Sequence, residues 1–180
     1  AGWYDDITGE PLDAKGVRDG RRKEVDKLWE RDVYEWVPRD QVKAKGGKIL
    51  RTRWVMNRKG QLVKCRFVGM EFAKGSQRDD LFAGTPPLWA ARLLLSRAAS
   101  GKRRNHSVMA LDVSSAFLYA DVLREIFIEL PEEDVEGVRK GMVGRLKKAL
   151  YGTRDAPLAW QEALGRNLIA WGVEGSKLHP

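Results

Sequence analysis

The chain has 180 residues, 43% hydrophobic and 32% charged, which is too apolar for a disordered protein. No stretch approaches the roughly 18 apolar residues of a membrane helix, and the single cysteine excludes an internal disulfide and a multi-cysteine zinc site. The net charge of +8 favours a polyanionic partner, nucleic acid before an acidic membrane, although a generically basic protein has the same balance.

The spacing of apolar residues predicts mixed helices and strands after a Gly-, Asp- and Pro-rich lead-in, which is expected to be a linker or poorly ordered (residues 1–20). In chain order the first predicted elements are a helix over 21–35 and two strands, over 49–56 and 62–68, joined by a turn at 57–60. An irregular connection over 82–87 leads to a buried helix over 88–99, an apolar strand over 107–113 and a short helix over 114–120. The last predicted elements are strands over 125–130 and 143–150 and a helix from 155 or 156 to 171. This order predicts an α+β protein.

Basic residues are concentrated in one part of the chain. The segment 41–66 has nine of them and no acidic residue: Lys43, Lys45, Lys48, Arg51, Arg53, Arg58, Lys59, Lys64 and Arg66. Because they alternate with strand-forming residues, this segment predicts a surface that faces phosphate groups, and it has no amphipathic helix with an aromatic face of the kind that lies on membranes.

Four motifs follow one another along the chain. They are Arg53-Trp54-Val55, Lys64-Cys65-Arg66-Phe67-Val68, Leu111-Asp112-Val113-Ser114-Ser115-Ala116-Phe117-Leu118, and Leu146-Lys147-Lys148-Ala149-Leu150-Tyr151-Gly152 continuing through Ala156-Pro157-Leu158-Ala159-Trp160. In order and spacing they resemble the copia-type retrotransposon reverse transcriptases, over about Glu24 to Pro180. Any one of the four is a weak signal, and the ordered set is a strong one.

The resemblance implies an incomplete reverse transcriptase domain of the right-hand polymerase fold, with fingers and a partial palm. The implied division is fingers over about 21–100, the first palm strand and helix over 101–121, fingers and palm strands over 122–154, and a palm helix over 155–172. It also implies RNA-directed DNA polymerisation from deoxynucleoside triphosphates on an RNA or DNA primer–template. The remaining palm, thumb and ribonuclease H would belong to a longer polyprotein. The implied setting is intracellular, in cytoplasmic virus-like particles with a nuclear phase, and involves no membrane.

Asp112, at the end of the predicted strand 107–113, is the candidate catalytic and metal-binding residue. Local pattern alone favours a helix N-cap, because Asp is a preferred capping residue. Nucleotide addition uses two divalent ions about 3.5–4 Å apart, and Mg²⁺ prefers hard oxygen ligands. With the resemblance added, Asp112 and the carbonyl of Val113 are expected to bind Mg²⁺ or Mn²⁺.

The resemblance assigns nucleotide binding to Lys64, Arg66, Phe117, Tyr151 and Gly152. Arg66 can bind phosphate oxygens with two hydrogen bonds, which makes it the stronger candidate, and ordinary surface charge is the alternative for both Lys64 and Arg66. Phe117 would exclude a ribose 2′-hydroxyl, or else is a core residue. Tyr151 and Gly152 would form a loop against the incoming base, with Gly152 allowing close approach of the backbone.

Contacts with the primer–template are expected from four further basic residues. Arg58 and Lys59 lie at the predicted hairpin tip and would touch the template backbone or only solvent. Lys147 and Lys148 would contact the primer–template or lie on the solvent-exposed face of a strand.

One motif of the family is absent from the 180 residues. The family's second carboxylate motif, Tyr-x-Asp-Asp, does not occur, and the two Asp-Asp pairs, Asp5-Asp6 and Asp79-Asp80, lie in other contexts. Because a single carboxylate should hold magnesium weakly, the chain is expected to be a fragment that is inactive alone. The alternative is a non-enzymatic, nucleic-acid-binding remnant of a decayed or adopted element.

Overall fold

The computed structural model describes residues 2–71, 87–100, 108–109 and 111–173. Helices and strands alternate through these residues, which confirms the prediction of a mixed helix-and-sheet protein. They are α1 (Ala14–Glu30), β1 (Tyr34–Pro38), α2 (Arg39–Ala44), β2 (Ile49–Leu50), β3 (Thr52–Lys59), β4 (Leu62–Gly69), α3 (Leu88–Ala99), a 3₁₀ helix (Ala116–Tyr119), β5 (Phe127–Ile128), α4 (Val135–Arg139), β6 (Met142–Leu146) and α5 (Ala156–Ala170).

A four-stranded sheet in the order β1-β6-β5-β2 carries the main core. β1 and β5 both run antiparallel to β6, while β2 runs parallel to β5. Its buried face includes Tyr34, Ile128 and Leu146, which pack with Leu28 of α1 and Phe67 of β4. The core therefore joins the sheet to both α1 and the β3–β4 hairpin.

The β3–β4 hairpin confirms the predicted pair of strands. Lys59 pairs with Leu62, so the turn is formed by Gly60 and Gln61, slightly later than the predicted turn at 57–60. Gly60 has a positive φ of 63°, a conformation that glycine adopts without steric cost.

Helix α1 packs closely on β4 because its facing side carries glycines. A Cβ at Gly20 would lie 2.7 Å from the carbonyl oxygen of Val63 and 2.8 Å from the Cys65 sulfur. A Cβ at Gly16 would lie 2.9 Å from the Val63 side chain. A larger residue at either position would push the helix away from the strand.

The expected lead-in over 1–20 differs from what is observed. Asp5 is buried and accepts hydrogen bonds from the backbone of Ile7, Thr8 and Arg58, the last at 2.6 Å. Helix α1 already begins at Ala14, capped by the Asp13 side chain, which accepts from the Gly16 amide at 2.6 Å. The prediction failed because it took Gly16 and Gly20 as signs of a linker, although they serve helix packing.

The predicted helix over 21–35 also ends earlier than expected. Helix α1 ends at Glu30, and Asp32 adopts a positive φ of 51° that reverses the chain. Residues from Tyr34 onward then form β1, paired with β6. Tyr34 and Trp36 donate hydrogen bonds to the buried Asp134, at 2.9 and 2.8 Å, which ties β1 to the segment before α4.

Two apolar segments, one predicted as a buried helix and the other as a strand, are exposed in the structure. Helix α3 has the predicted bounds, but none of its residues is buried, and Leu94 is 63% exposed. The strand predicted over 107–113 does not form in its described residues, where Leu111 is 71% exposed. A strand needs a neighbour for its backbone hydrogen bonds, and no described residue pairs with this segment. The connection predicted over 82–87 lies outside the described residues, apart from Pro87.

The other helices and strands largely follow the predictions. The short helix predicted over 114–120 is the 3₁₀ helix, and the strands predicted over 125–130 and 143–150 are the shorter β5 and β6. Helix α5 begins and ends within a residue of its predicted bounds, and Gly172 follows it with a φ of +80°. Among the described residues, no helix is long and apolar enough to cross a membrane.

Candidate nucleotide and nucleic-acid interface

A cleft of about 830 Å³ lies between α1 and β4, and the segment from Asp112 to Ser115 borders it. We call it the α1–β4 cleft. Its lining holds six basic and three acidic side chains, a net charge of +3: Lys23, Lys27, Arg31, Lys59, Lys64 and Arg66 against Asp19, Glu24 and Asp112. A concave surface with an excess of one charge concentrates counter-ions of the opposite sign, here anions.

Strand β4 supplies cations to the cleft through its alternation. Lys64 and Arg66 are exposed, whereas Cys65 and Phe67 between and after them are buried. Neither Lys64 nor Arg66 forms an ion pair with any residue that the structure describes. The positive charge of Arg66 lowers the pKa of Lys64, and partial burial together with Lys59 and Lys27 acts in the same direction. These like charges repel one another, so an anion bound among them would relieve the repulsion.

Tyr151 connects the cations to the 3₁₀ helix. The guanidinium carbon of Arg66 lies 5.9 Å from the centre of the Tyr151 ring, within the range of a cation–π contact. The Tyr151 ring also lies 4.9 Å from that of Phe117, with the two ring planes tilted by 44°. Burial raises the pKa of the Tyr151 hydroxyl, and the nearby charge of Arg66 opposes that shift. The structure therefore brings together three of the five predicted nucleotide-binding residues: Arg66, Phe117 and Tyr151.

Phe117 packs against helix α5 as well as against the Tyr151 ring. It is half-buried and packs against the alanine cluster of α5, which includes Ala156 and Ala159. Phe117 does not line the α1–β4 cleft. The core alternative therefore has direct support, and its role in excluding a 2′-hydroxyl stays a prediction.

Gly152 approaches backbone rather than the cleft. It has a φ of +82°, and a Cβ there would lie 2.0 Å from the carbonyl oxygen of Gly69. The Gly69 amide donates to the Tyr151 carbonyl at 2.7 Å, so the end of β4 is joined to this loop. The need for glycine at this position is thus explained by the Gly69 contact, and this contact fixes Tyr151 relative to β4.

Asp112 and Val113 border the cleft in an exposed, irregular segment. The helix-cap alternative for Asp112 is wrong, because the 3₁₀ helix has Ser115 at its N-cap, three residues further on. Ser115 has a positive φ of 55°, which turns the chain sharply between Asp112 and Phe117. Asp112 is therefore free of the capping role that local pattern favoured.

The described residues do not by themselves fit a bound metal pair. No group of three or more His, Cys, Asp or Glu side chains comes together in the described part of the chain. Of the other two carboxylates that line the cleft, Glu24 pairs with Lys27 at 2.5 Å and Asp19 with Lys15 at 3.0 Å. Asp112 is thus a single oxygen ligand, which is too few for Mg²⁺.

The four expected primer–template contacts separate into two groups. Lys59 lines the cleft. Arg58 instead donates to the Pro11 carbonyl at 2.8 Å, while Lys147 pairs with Asp32 and Lys148 with Asp121. These three ion-paired or hydrogen-bonded residues lie outside the cleft, and their contact with nucleic acid stays a prediction.

Three cleft residues on α1 were not singled out from the sequence. Lys23, Lys27 and Arg31 line the same cleft as Lys64 and Arg66. Their spacing of four residues places them along one side of a helix, a signal that was available in the sequence. The acidic residues between them, Glu24, Asp26 and Glu30, hid this signal.

Comparison with known proteins shows the family of the chain. Residues 33–179 match the family model described as reverse transcriptase (RNA-dependent DNA polymerase). The chain therefore belongs to the reverse transcriptase family, and its curated relatives identify it with the copia-type retrotransposon branch.

Two relatives show the extent of the similarity. The retrovirus-related Pol polyprotein from transposon TNT 1-94 of Nicotiana tabacum is 35% identical over 147 residues, which is 77% of this chain and 10% of the relative. The transposon Ty1-BL Gag-Pol polyprotein of Saccharomyces cerevisiae is 31% identical over 150 residues, which is 79% of this chain and 8% of the relative. The chain thus spans about a tenth of these relatives' length. No solved structure matches it.

Proposed function

We propose that this chain is the part of a copia-type reverse transcriptase that binds phosphate groups of the primer–template and of the incoming deoxynucleotide. In this proposal the chain forms fingers and a partial palm of the right-hand polymerase fold. The parent activity is RNA-directed DNA polymerisation within a Pol polyprotein. The family match supports the reaction class, and the α1–β4 cleft supports the location.

The single observation that carries the proposal is the convergence of motif residues on this cleft. Lys64, Arg66, Asp112 and Tyr151 come from three separate motifs of the sequence, yet all four line it. Arg66 presents a fork of N–H donors that can bind two oxygens of one phosphate. The aromatic ring of Tyr151 offers a face on which a base can stack, and such stacking contributes about 1–3 kcal/mol per base.

The chain's own residues therefore bind and orient in this proposal. Lys64 and Arg66 offset negative charge on phosphate, and Tyr151 holds the guanidinium of Arg66 beside the cleft. The family generally uses a divalent metal ion, and Asp112 offers it one oxygen ligand. Because the described residues supply no further ligands there, we derive no catalytic step through a metal.

We propose in addition that the chain alone does not polymerise. The support is that two of the three cleft carboxylates, Asp19 and Glu24, are ion-paired, which leaves Asp112, and that the 180 residues contain no Tyr-x-Asp-Asp motif. Primer extension on poly(rA)–oligo(dT) with magnesium or manganese tests this proposal. Robust synthesis by the isolated chain would show that it is wrong.

A binding experiment tests the location. The double variant Lys64→Gln/Arg66→Gln should weaken binding of a labelled primer–template and reduce its salt dependence, because each lost phosphate contact lowers the slope by about 0.7–0.9. The matched control is Lys43→Gln/Lys45→Gln, which removes the same charge at exposed positions outside the cleft. Equal losses in both variants would mean that only total charge matters, and the proposed location would fail.

The second candidate function is a non-enzymatic, nucleic-acid-binding remnant. The net positive charge of the cleft supports this remnant as well as it supports the polymerase fragment, since nucleic-acid binding needs no carboxylate. An intact Tyr-x-Asp-Asp motif in the coding sequence downstream would support the polymerase. A stop codon or frameshift there would support the remnant.

A further inference from the structure

Helix α1 forms one side of the α1–β4 cleft, although it precedes the residues that match the reverse transcriptase family model. That match begins at residue 33, whereas α1 ends at Glu30. Seven of the lining residues come from α1 or its C-cap: Gly16, Asp19, Gly20, Lys23, Glu24, Lys27 and Arg31. The cleft is therefore incomplete without a segment that the family match does not include.

The cations of α1 are arranged as a line. Lys23, Lys27 and Arg31 are spaced by four residues, and the helical rise of 1.5 Å per residue separates neighbours along the axis by about 6 Å. That separation is comparable with the distance between successive phosphates of an extended single strand. A line of about 12 Å from Lys23 to Arg31 is longer than a single phosphate group needs.

The two ends of this line are available to an anion. Lys23 is exposed and forms no ion pair within the described ranges of the chain. The Arg31 guanidinium carbon lies 4.0 Å from the centre of the Tyr119 ring, a contact that orients the group without neutralising it. Lys27, in the middle, pairs with the buried Glu24, so the net positive charge is greatest at the ends.

The width of the cleft is set by the glycines of α1. Because Gly16 and Gly20 let the helix lie against β4, the line on α1 is held at a fixed distance from Lys64 and Arg66. The cleft volume of about 830 Å³ is within the range of small-ligand sites. This volume is too small to enclose a segment of duplex. The groove along the α1–β4 junction therefore suits one strand of nucleic acid.

We propose that helix α1 is a second nucleic-acid-binding wall, whose Lys23 and Arg31 bind two phosphates of one single strand that lies along the α1–β4 cleft. This inference rests on the proposed function, because it assumes that the cleft binds polynucleotide. It extends that function to residues outside the family match. It also assigns them a single-stranded segment rather than the duplex or the free triphosphate.

The test compares the full 180-residue chain with the variant Lys23→Gln/Arg31→Gln. Binding of a labelled single-stranded oligonucleotide is measured from 50 mM to 1 M salt. Loss of two phosphate contacts should lower the slope of log affinity against log salt by about 1.4, equivalent to roughly 60-fold weaker binding at 50 mM salt. The charge-preserving variant Lys23→Arg/Arg31→Lys should restore binding, which separates charge from misfolding.

The matched control is Arg18→Gln/Arg22→Gln. These two exposed residues belong to the same helix but do not line the cleft, and their replacement removes the same charge. The control should keep the wild-type slope. An equal fall in slope for both variants would overturn the proposal, as would an equal effect of Lys23→Gln/Arg31→Gln on a blunt duplex of the same length.

The result for Lys64→Gln/Arg66→Gln separates this inference from the proposed function. If that variant lowers the slope and Lys23→Gln/Arg31→Gln does not, the second wall is refuted and the cleft remains a phosphate-binding site. If neither variant changes the slope, the proposed function fails and the inference fails with it. Reduced slopes in both variants support both claims.

Discussion

The junction of Gly69 with Gly152 gives the sharpest prediction about stability. Replacing Gly152 with Ala places a Cβ 2.0 Å from the Gly69 carbonyl oxygen, far inside any normal contact, at a backbone φ of +82°. The positive φ alone costs about 1–2 kcal/mol for a residue with a side chain. Relief of the clash must also separate the loop from β4, which breaks the hydrogen bond from the Gly69 amide to the Tyr151 carbonyl and costs about 0.5–1.5 kcal/mol.

We therefore expect Gly152→Ala to lower the free energy of unfolding by about 2–3 kcal/mol, measured by urea denaturation followed by circular dichroism. The control is Gly141→Ala, because Gly141 has a similar φ of +67° and nothing within 4 Å of its would-be Cβ. It should lose only the 1–2 kcal/mol or so of the backbone conformation. Equal losses in the two variants would show that the clash with Gly69 does not exist.

Three further predictions concern single side chains. Asp112→Asn should leave nucleic-acid binding unchanged or slightly stronger at low salt, since it removes a negative charge from the cleft; a marked loss in a filter-binding titration would contradict its placement there. Burial raises the pKa of Cys65 to about 11, so this thiol should not react with a disulfide reagent at pH 8 until urea unfolds the chain; rapid reaction in the folded protein would show that Cys65 is accessible. Tyr34→Phe should cost about 1–3 kcal/mol of stability, because the buried Asp134 loses a donor. Burial, reinforced by the charge of Asp134, raises the pKa of Tyr34 in the folded protein. The wild type should therefore lose stability as the pH rises above about 10, where the hydroxyl ionises in the unfolded chain first. In parallel denaturant titrations Tyr34→Phe should lose less stability over that pH range.

Helices and strands that were predicted correctly are those whose partners are close in sequence. The β3–β4 hairpin is one, because a two-residue turn sets its pairing locally. Helix α5 is another, since Gly172 ends it and its apolar spacing extends over its full length. Local signals were sufficient in both cases.

Predictions failed where distant contacts determine the outcome. Gly16 and Gly20 indicated a linker by composition, yet they lie inside α1 because β4 approaches the helix there. The first two residues of β1 were assigned to the preceding helix and the rest of the strand was not predicted, because its partner β6 lies more than 100 residues further on. No window of local sequence contains either contact.

The candidate site was predicted in part by the motifs. Lys64, Arg66 and Tyr151 were named from their resemblance to family motifs, and the structure brings them to one cleft. The 41–66 basic segment, by contrast, does not form a single surface, because Arg53 pairs with Asp6 at 3.5 Å while Lys64 lines the cleft. Alternation along the hairpin and its contacts with the first residues of the chain separate these cations.

The position of bound nucleic acid is the most direct test of the account. A single-stranded RNA containing 5-iodouridine can be cross-linked by light to aromatic side chains, and the modified peptides identified by mass spectrometry. We predict cross-links at Tyr151, which lines the α1–β4 cleft. Cross-links confined to Trp29 and Trp36, which border the separate acidic surface near Glu133 and Glu136, would contradict it.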